Sequence, residues 1–253
     1  MNDKAGQIRA VLFDLGDTLI NFGKVSALNL FGKSCRRTYY FLKHSNQPVG
    51  NYSLYYLKNI SNIYFQLLSS KISGKDFDAY DVLKKNCRKY GIELDNEQTE
   101  ELLWLWYQPL YQKSTTEENL EDTLKQLKKQ GLKLGIVSNT FIPRLCLDRH
   151  LKELGIIGYF DFQLYSCEFS SRKPTPEIFI EAADKIKVRL PEIVFVGDRI
   201  DKDIKPALTL DMKAVLKKAY TNHKDKISEK AYRIHSLSEL PELIKDINSK
   251  NEK

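Results

Sequence analysis

Three short apolar runs in this chain each stop at a residue that carries chemistry, and this constrains the fold more than any other feature. Ile8 to Phe13 ends at Asp14, Leu132 to Val137 at Ser138, and Ile193 to Val196 at Gly197-Asp198. Runs of this length, mostly aliphatic and without polar alternation, read as strands covered on both faces, the mark of a parallel sheet. In an open α/β sheet, ligands collect beyond the carboxyl ends of the strands, so groups delivered there can converge on one ligand.

Between the first two runs the period changes. Leu28, Phe31, Cys35, Tyr39 and Leu42 recur at helical steps, followed by Leu57, Ile60, Tyr64 and Leu68, then by Phe77, Tyr80, Leu83, Cys87 and Tyr90, and finally by Leu102, Leu103, Trp106 and Leu110. The pattern predicts an all-helical lid over residues 23–112, inserted into a core made of 1–22 and 113–253. Both tryptophans and most of the fourteen tyrosines fall in the lid, where helical spacing predicts core packing.

After Gln112 helices and strands alternate. Thr115-x-x-Glu118 reads as a capping box, Gly131 as the C′ residue of that helix, and Pro143 as the start of another to about Leu154. A strand is expected near Phe160 to Tyr165, a helix from Pro176 capped by Thr175, a helix over Ile204 to Leu210, a last strand at Lys213 to Leu216 and a closing helix near Leu240 to Ile247. Such alternation implies a parallel sheet with right-handed crossovers.

Composition narrows the classes. With 253 residues, 42% of them hydrophobic, the chain can bury a substantial core. No run reaches membrane-spanning length and no secretory leader is visible, so the expected setting is cytoplasmic, away from membranes. Cys35, Cys87, Cys146 and Cys167 form no C-x-x-C pair and are expected as free thiols; His44, His150, His223 and His235 lie outside every motif. The net charge of +7 is uneven: no acidic residue occurs between Asp17 and Asp76, a stretch holding Lys24, Lys33, Arg36, Arg37, Lys43, Lys58, Lys71 and Lys75. That asymmetry predicts a positive lid and an anionic substrate such as a nucleotide or sugar phosphate. No helix-turn-helix, zinc-finger or RNA-binding signature accompanies the charge, and nucleic acid is not an expected partner. Nothing in the sequence fixes the oligomeric state.

A carboxylate at the end of a strand, as Asp14 is placed, can attack phosphorus and split phosphoryl transfer into two easier steps. Asp198, Asp201 and Asp203 fall within six residues and offer the hard oxygen ligands that suit Mg²⁺, while Asp201 also fits a solvent-facing turn. Ser138, Asn139 and Lys173 supply hydrogen-bond donors and a positive charge for phosphoryl oxygens.

The ordered set Phe13-Asp14-Leu15-Gly16-Asp17-Thr18, Val137-Ser138-Asn139, Lys173-Pro174 and Gly197-Asp198-Arg199-Ile200-Asp201-Lys202-Asp203 resembles the haloacid dehalogenase-like hydrolase superfamily. The resemblance implies a Rossmann-like doubly wound sheet with a mobile helical cap, and a Mg²⁺-dependent phosphatase acting on a small phosphorylated metabolite. It makes Asp14 the nucleophile, Ser138 with Asn139 and Thr18 the phosphate-binding group, and Lys173 the stabiliser of the intermediate. Asp14, the Gly16 carbonyl and Asp198 would hold the metal, with Asp203 supporting them.

One position departs from that pattern. Family phosphatases carry a second aspartate two residues after the nucleophile as general acid and base, and here that residue is Gly16, with Asp17 one place later. Either Asp17 substitutes, or the enzyme favours good leaving groups, or activity is weak; the second is the expectation taken here. A metal-independent 2-haloacid dehalogenase would need no such acid, but the retained Asp198 argues against it. A catalytically weak member serving as a binding protein is the remaining alternative.

Overall fold

The computed structural model describes residues 6–222 and 226–250. His223 lies outside them. Its centre is a six-stranded parallel sheet of order β3-β2-β1-β4-β5-β6, built from β1 (Ala10–Phe13), β2 (Lys133–Ser138), β3 (Phe162–Tyr165), β4 (Ile193–Gly197), β5 (Lys213–Lys217) and β6 (Tyr232–Ile234). The chain runs outward from β1 in one direction through β2 and β3, then returns to the middle and runs the other way. The direction therefore reverses between β1 and β4, whose registers pair Phe13 with Val196.

Strand side chains alternate between faces, and both faces are covered. Val11, Phe13, Leu134, Ile136, Val194 and Val196 pack on one side with residues of α5 (Leu120–Lys129), α6 (Arg144–Glu153) and α9 (Leu240–Lys250). Ala10, Leu12, Phe195, Ala214 and Leu216 pack on the other with α7 (Pro176–Ile186) and α8 (Lys205–Thr209). The parallel sheet is the one expected from the apolar runs, and its doubly wound, Rossmann-like α/β architecture is the one the resemblance implied.

Four helices lie between β1 and α5: α1 (Ala27–His44), α2 (Tyr52–Ser73), α3 (Ala79–Lys89) and α4 (Asn96–Tyr111). The chain enters and leaves this bundle side by side, because Asn21 and Thr115 exchange two backbone hydrogen bonds of 2.7 and 2.9 Å. That bridge removes the expected capping box: Thr115 is spent on it, and α5 starts later, after Asn119, with no side-chain cap. Gly131 does take the left-handed conformation expected of a C′ residue, at φ 77°.

Two further readings need correction. Leu57, Tyr64 and Leu68 on α2 are 63, 70 and 48% exposed, so that apolar stripe faces outward; the helix docks by its other side, where Tyr55 donates to Thr38 Oγ1 at 2.9 Å and Asn62 to Asn86 Oδ1 at 2.9 Å. Strand β6 was not anticipated: Tyr232 to Ile234 has only three residues and one of them, Arg233, is exposed, too short a run to show a period. All four cysteines are free, Cys35 and Cys146 buried and the others half-buried. No helix among the described residues is long and apolar enough to cross a membrane.

Candidate active site

Strands β1 and β4 end side by side at the point where the sheet reverses direction, and the Asp14 N–H donates to the Val196 carbonyl at 2.8 Å. Reversal leaves a crevice between the two connections, which is where an α/β sheet holds its ligand. Asp14, Asp198 and Asp203 meet there, each offering an oxygen within 4.8 Å of the others, and all three are buried. Lys173, brought in by the segment before α7, is 2% exposed, donates to Asp14 Oδ1 at 2.6 Å and lies 2.7 Å from Asp203 Oδ1. Asp203 reaches under the end of β4 from a single π-helical turn, Ile200–Ile204, and its Oδ2 accepts the Arg199 N–H at 2.9 Å. A Cβ on residue 197 would collide with the Asp203 side chain, so glycine is required where that strand stops.

Three buried carboxylates thus face one ammonium. Burial, then the charge of Asp14, pushes the Asp198 carboxyl up to about 7, partly against a hydrogen bond from Thr221. Burial raises Asp203 as well, against the pull of Lys173. Burial works against the Lys173 ammonium too, but Asp14 and Asp203 more than offset it and hold it above the ordinary lysine value. The cluster lacks positive charge and consists wholly of hard oxygen donors, the chemistry that fits Mg²⁺.

The other expected residues divide. Ser138, at the end of β2, is buried and lines the same cavity as Asp14 and Lys173, as does Gly16. Asn139 lines it too, but its amide is taken up by the backbone of Lys173, donating to the carbonyl at 2.7 Å and accepting the N–H at 2.9 Å, so it positions that lysine. Thr18 is not at the cavity: the tight turn that returns Leu19 and Ile20 N–H groups to the Leu15 carbonyl rolls it inward, and its hydroxyl is buried without a hydrogen-bond partner. Asp17, in the left-handed region at φ 56°, uses Oδ1 to accept the N–H groups of Phe22 at 3.0 Å and Gly23 at 3.2 Å. Asp201 pairs with Arg199 at 3.2 Å and is exposed.

Sequence reasoning missed the loop after β5. Thr221 donates to Asp198 Oδ2, and Asn222 donates to the backbone carbonyls of Asp198 and Lys217, each at 2.8 Å. The signal was available, since these residues also follow a strand end. It missed the clasp around Asp76 as well: Arg172 donates to Asp76 Oδ1 at 2.6 Å and Ser166 to Oδ2 at 2.6 Å. Nothing in the sequence couples residues ninety positions apart.

The cavity above the cluster measures about 460 Å³ and is lined there by α1, α4, Phe22, Gly23, Val25 and the loop after β2. Of the eight lysines and arginines in the acid-free stretch, none lines it. Arg37 is turned to Gln112 at 2.8 Å and to Gln108, and Lys58 sits 4.2 Å from the Tyr90 ring centre. The positive lid expected to draw a polyanion does not present its charge to the site.

Comparison with known proteins places the chain in a family. The chain is 26% identical over 259 aligned positions to the N-acylneuraminate-9-phosphatase of Rattus norvegicus, which covers 96% of both chains. It is 39% identical over 127 residues to the glyceraldehyde 3-phosphate phosphatase of Methanocaldococcus jannaschii, a match that takes in 49% of this chain and 54% of that protein. The chain thus spans only about half the length of that relative. In fold it is similar to a 2-haloacid dehalogenase from Pseudomonas syringae (TM-score 0.64, 23% identity, 95% of this chain and 99% of the other) and to a HAD phosphatase from Thermococcus onnurineus (TM-score 0.58, 23% identity, 94% and 98%). The family model for haloacid dehalogenase-like hydrolases matches residues 8–211, a span running from β1 through the buried carboxylates. The chain belongs to the haloacid dehalogenase-like hydrolases.

Proposed function

We propose that the protein is a Mg²⁺-dependent phosphatase that hydrolyses a small phosphorylated metabolite through an aspartyl phosphate on Asp14. One observation carries the reading: Asp14, Lys173, Asp198 and Asp203, from three distant parts of the chain, meet at the floor of one cavity. The relatives described above as phosphatases support it. In this reading residues 1–22 and 113–253 form the catalytic core and 23–112 the lid.

An Asp14 carboxylate oxygen attacks phosphorus in line as the bond to the ester oxygen breaks, and the leaving alkoxide or phenoxide takes its proton from solvent. Water then attacks phosphorus, the Asp14 carboxylate departs, and inorganic phosphate is released. Lys173 lies against the oxygen of Asp14 that does not attack and offsets charge as the phosphoryl group arrives. The Ser138 hydroxyl donates to a phosphoryl oxygen, and Asn139 keeps Lys173 in place. Asp14, Asp198 and the Gly16 carbonyl would hold Mg²⁺, with Asp203 behind them, and the ion would neutralise phosphoryl charge.

A panel of phosphorylated metabolites, assayed with Mg²⁺ and with a chelator, tests the reading, with Asp14→Asn as the blank. Phosphate release is expected only with both Mg²⁺ and Asp14. Release of halide from 2-haloacids at full rate in chelator would favour dehalogenation instead, and no turnover on either panel would favour a binding protein.

A further inference from the structure

The cavity has two ends of opposite character. The carboxylates and Lys173 form its floor, with Arg199 and Lys202 also in the lining, whereas the wall under α1 and α4 is formed by Leu30, Phe31, Trp106, Leu110, Phe141 and Ile142. No charged side chain of α1 or α4 reaches this wall, although α1 is strongly basic. The two polar side chains that α1 and α4 turn to it are already engaged. Ser34 donates to the Trp106 carbonyl at 2.6 Å, and the Tyr107 hydroxyl is paired with His150 Nδ1 at 2.8 Å. A hydroxyl or second phosphate pressed against such a surface loses its water and gains no partner, which weakens binding by roughly tenfold for each group left unpaired. A hydrocarbon surface of the same size gains by leaving water.

Gly16 and Asp17 point the same way independently. Gly16 has no acid to offer, and Asp17 is held by the Phe22 and Gly23 amides. A phenol leaves with an ordinary pKa of about 10 and needs a proton far less than an alkoxide does.

We propose that the substrate is the phosphomonoester of an apolar alcohol or phenol, its ring or branched hydrocarbon seated against Phe31, Trp106, Leu110 and Phe141. It is not a sugar phosphate or a nucleotide. This rests on the phosphatase reading and names the substrate class of that same site.

The test measures kcat/KM for phosphate release from benzyl phosphate, glucose 6-phosphate and AMP, with Mg²⁺, in the wild type, Leu110→Asn, Phe31→Ser and Asp14→Asn. Benzyl phosphate and glucose 6-phosphate both expel a primary alkoxide, so their ratio reports the wall and not the leaving group. The ratio is expected to exceed about tenfold in favour of benzyl phosphate, and to fall severalfold in Leu110→Asn or Phe31→Ser. Because it is a ratio measured within one variant, partial loss of folded protein does not move it. A wild-type ratio below about tenfold, AMP turned over as well as benzyl phosphate, or a ratio unmoved in both wall variants overturns the proposal. Asp14-dependent release from glucose 6-phosphate or AMP alone overturns only the substrate class. No Asp14-dependent release from any of the three overturns the phosphatase reading along with it.

Discussion

At the scale of single residues the site is a charge imbalance waiting for a cation and a position waiting for an acid. Asp198 is buried beside Asp14 and Asp203 with Lys173 as the cluster's one cation, so removing its charge should stabilise the metal-free protein while removing a proposed metal ligand. Asp198→Asn is therefore expected to melt higher than wild type without metal, and to lose the rise in melting temperature that Mg²⁺ gives wild type; a variant that melts lower and keeps the rise would contradict this. Gly16 has room for a side chain: a Cβ there would meet only Phe22, at an ordinary 3.7 Å. General acid catalysis is worth about 10² to 10⁴ in rate, so Gly16→Asp is expected to raise kcat on alkyl phosphates at least tenfold and on phenyl phosphate little. An equal effect on both substrates, or a loss on both, would show that the missing carboxylate does not limit turnover.

At the scale of elements, two of the contacts that join the helical bundle to the rest of the protein can be tested. The connection between α2 and α3 is clasped at Asp76 by Arg172 and Ser166, and Phe77 stacks on Phe141 at 5.1 Å. Both contacts flank residues that line the cavity, Phe141 and Lys173, so the clasp fixes the bundle beside it. Asp76→Ala is expected to raise KM and lower kcat/KM by about tenfold, the worth of one half-buried charged hydrogen bond; unchanged KM would make the clasp purely structural. The second contact is α4 on α6, where His150 Nδ1 pairs with the Tyr107 hydroxyl at 2.8 Å and its other nitrogen lies 3.2 Å from Ser114 Oγ, which donates to the Tyr111 carbonyl. Pairing of this kind suits the neutral ring, and burial holds its pKa down at about 4. The unfolded chain takes up that proton near pH 6.5 and the folded one does not, so stability is fully present above 6.5 and declines as pH falls toward 4. Between pH 7.5 and 5.0 this group should cost about 2 kcal/mol, read as a denaturation midpoint that falls further in wild type than in His150→Gln; equal falls would remove the role assigned to His150. Much of this level was legible in advance, because an apolar run stopping at Asp14, Ser138 or Gly197 marks a strand end by hydrophobicity alone. The α2 stripe was not: a period of 3.6 identifies a helix but not which side docks, and here Thr38 and Asn86 choose the polar flank.

At the scale of the whole molecule, the proposed active site is a consequence of topology. A sheet that reverses direction between β1 and β4 brings residues 14 and 198 together without any local signal linking them, and the segment entering α7 adds residue 173. The ordered motifs announced this meeting, since each follows or precedes an element whose end is fixed by the fold. The apolar roof was not legible in the same way, because charge in the acid-free stretch of the sequence says nothing of which face of α1 turns inward. The central claim is that Asp14 itself becomes phosphorylated, and acid quenching within one turnover of a ³²P-labelled aryl phosphate tests it directly. The account predicts label on the peptide containing Asp14, released by hydroxylamine as an acyl phosphate must be, and absent from Asp14→Asn. Turnover that proceeds with no label on that peptide, or with label on another residue, would contradict it.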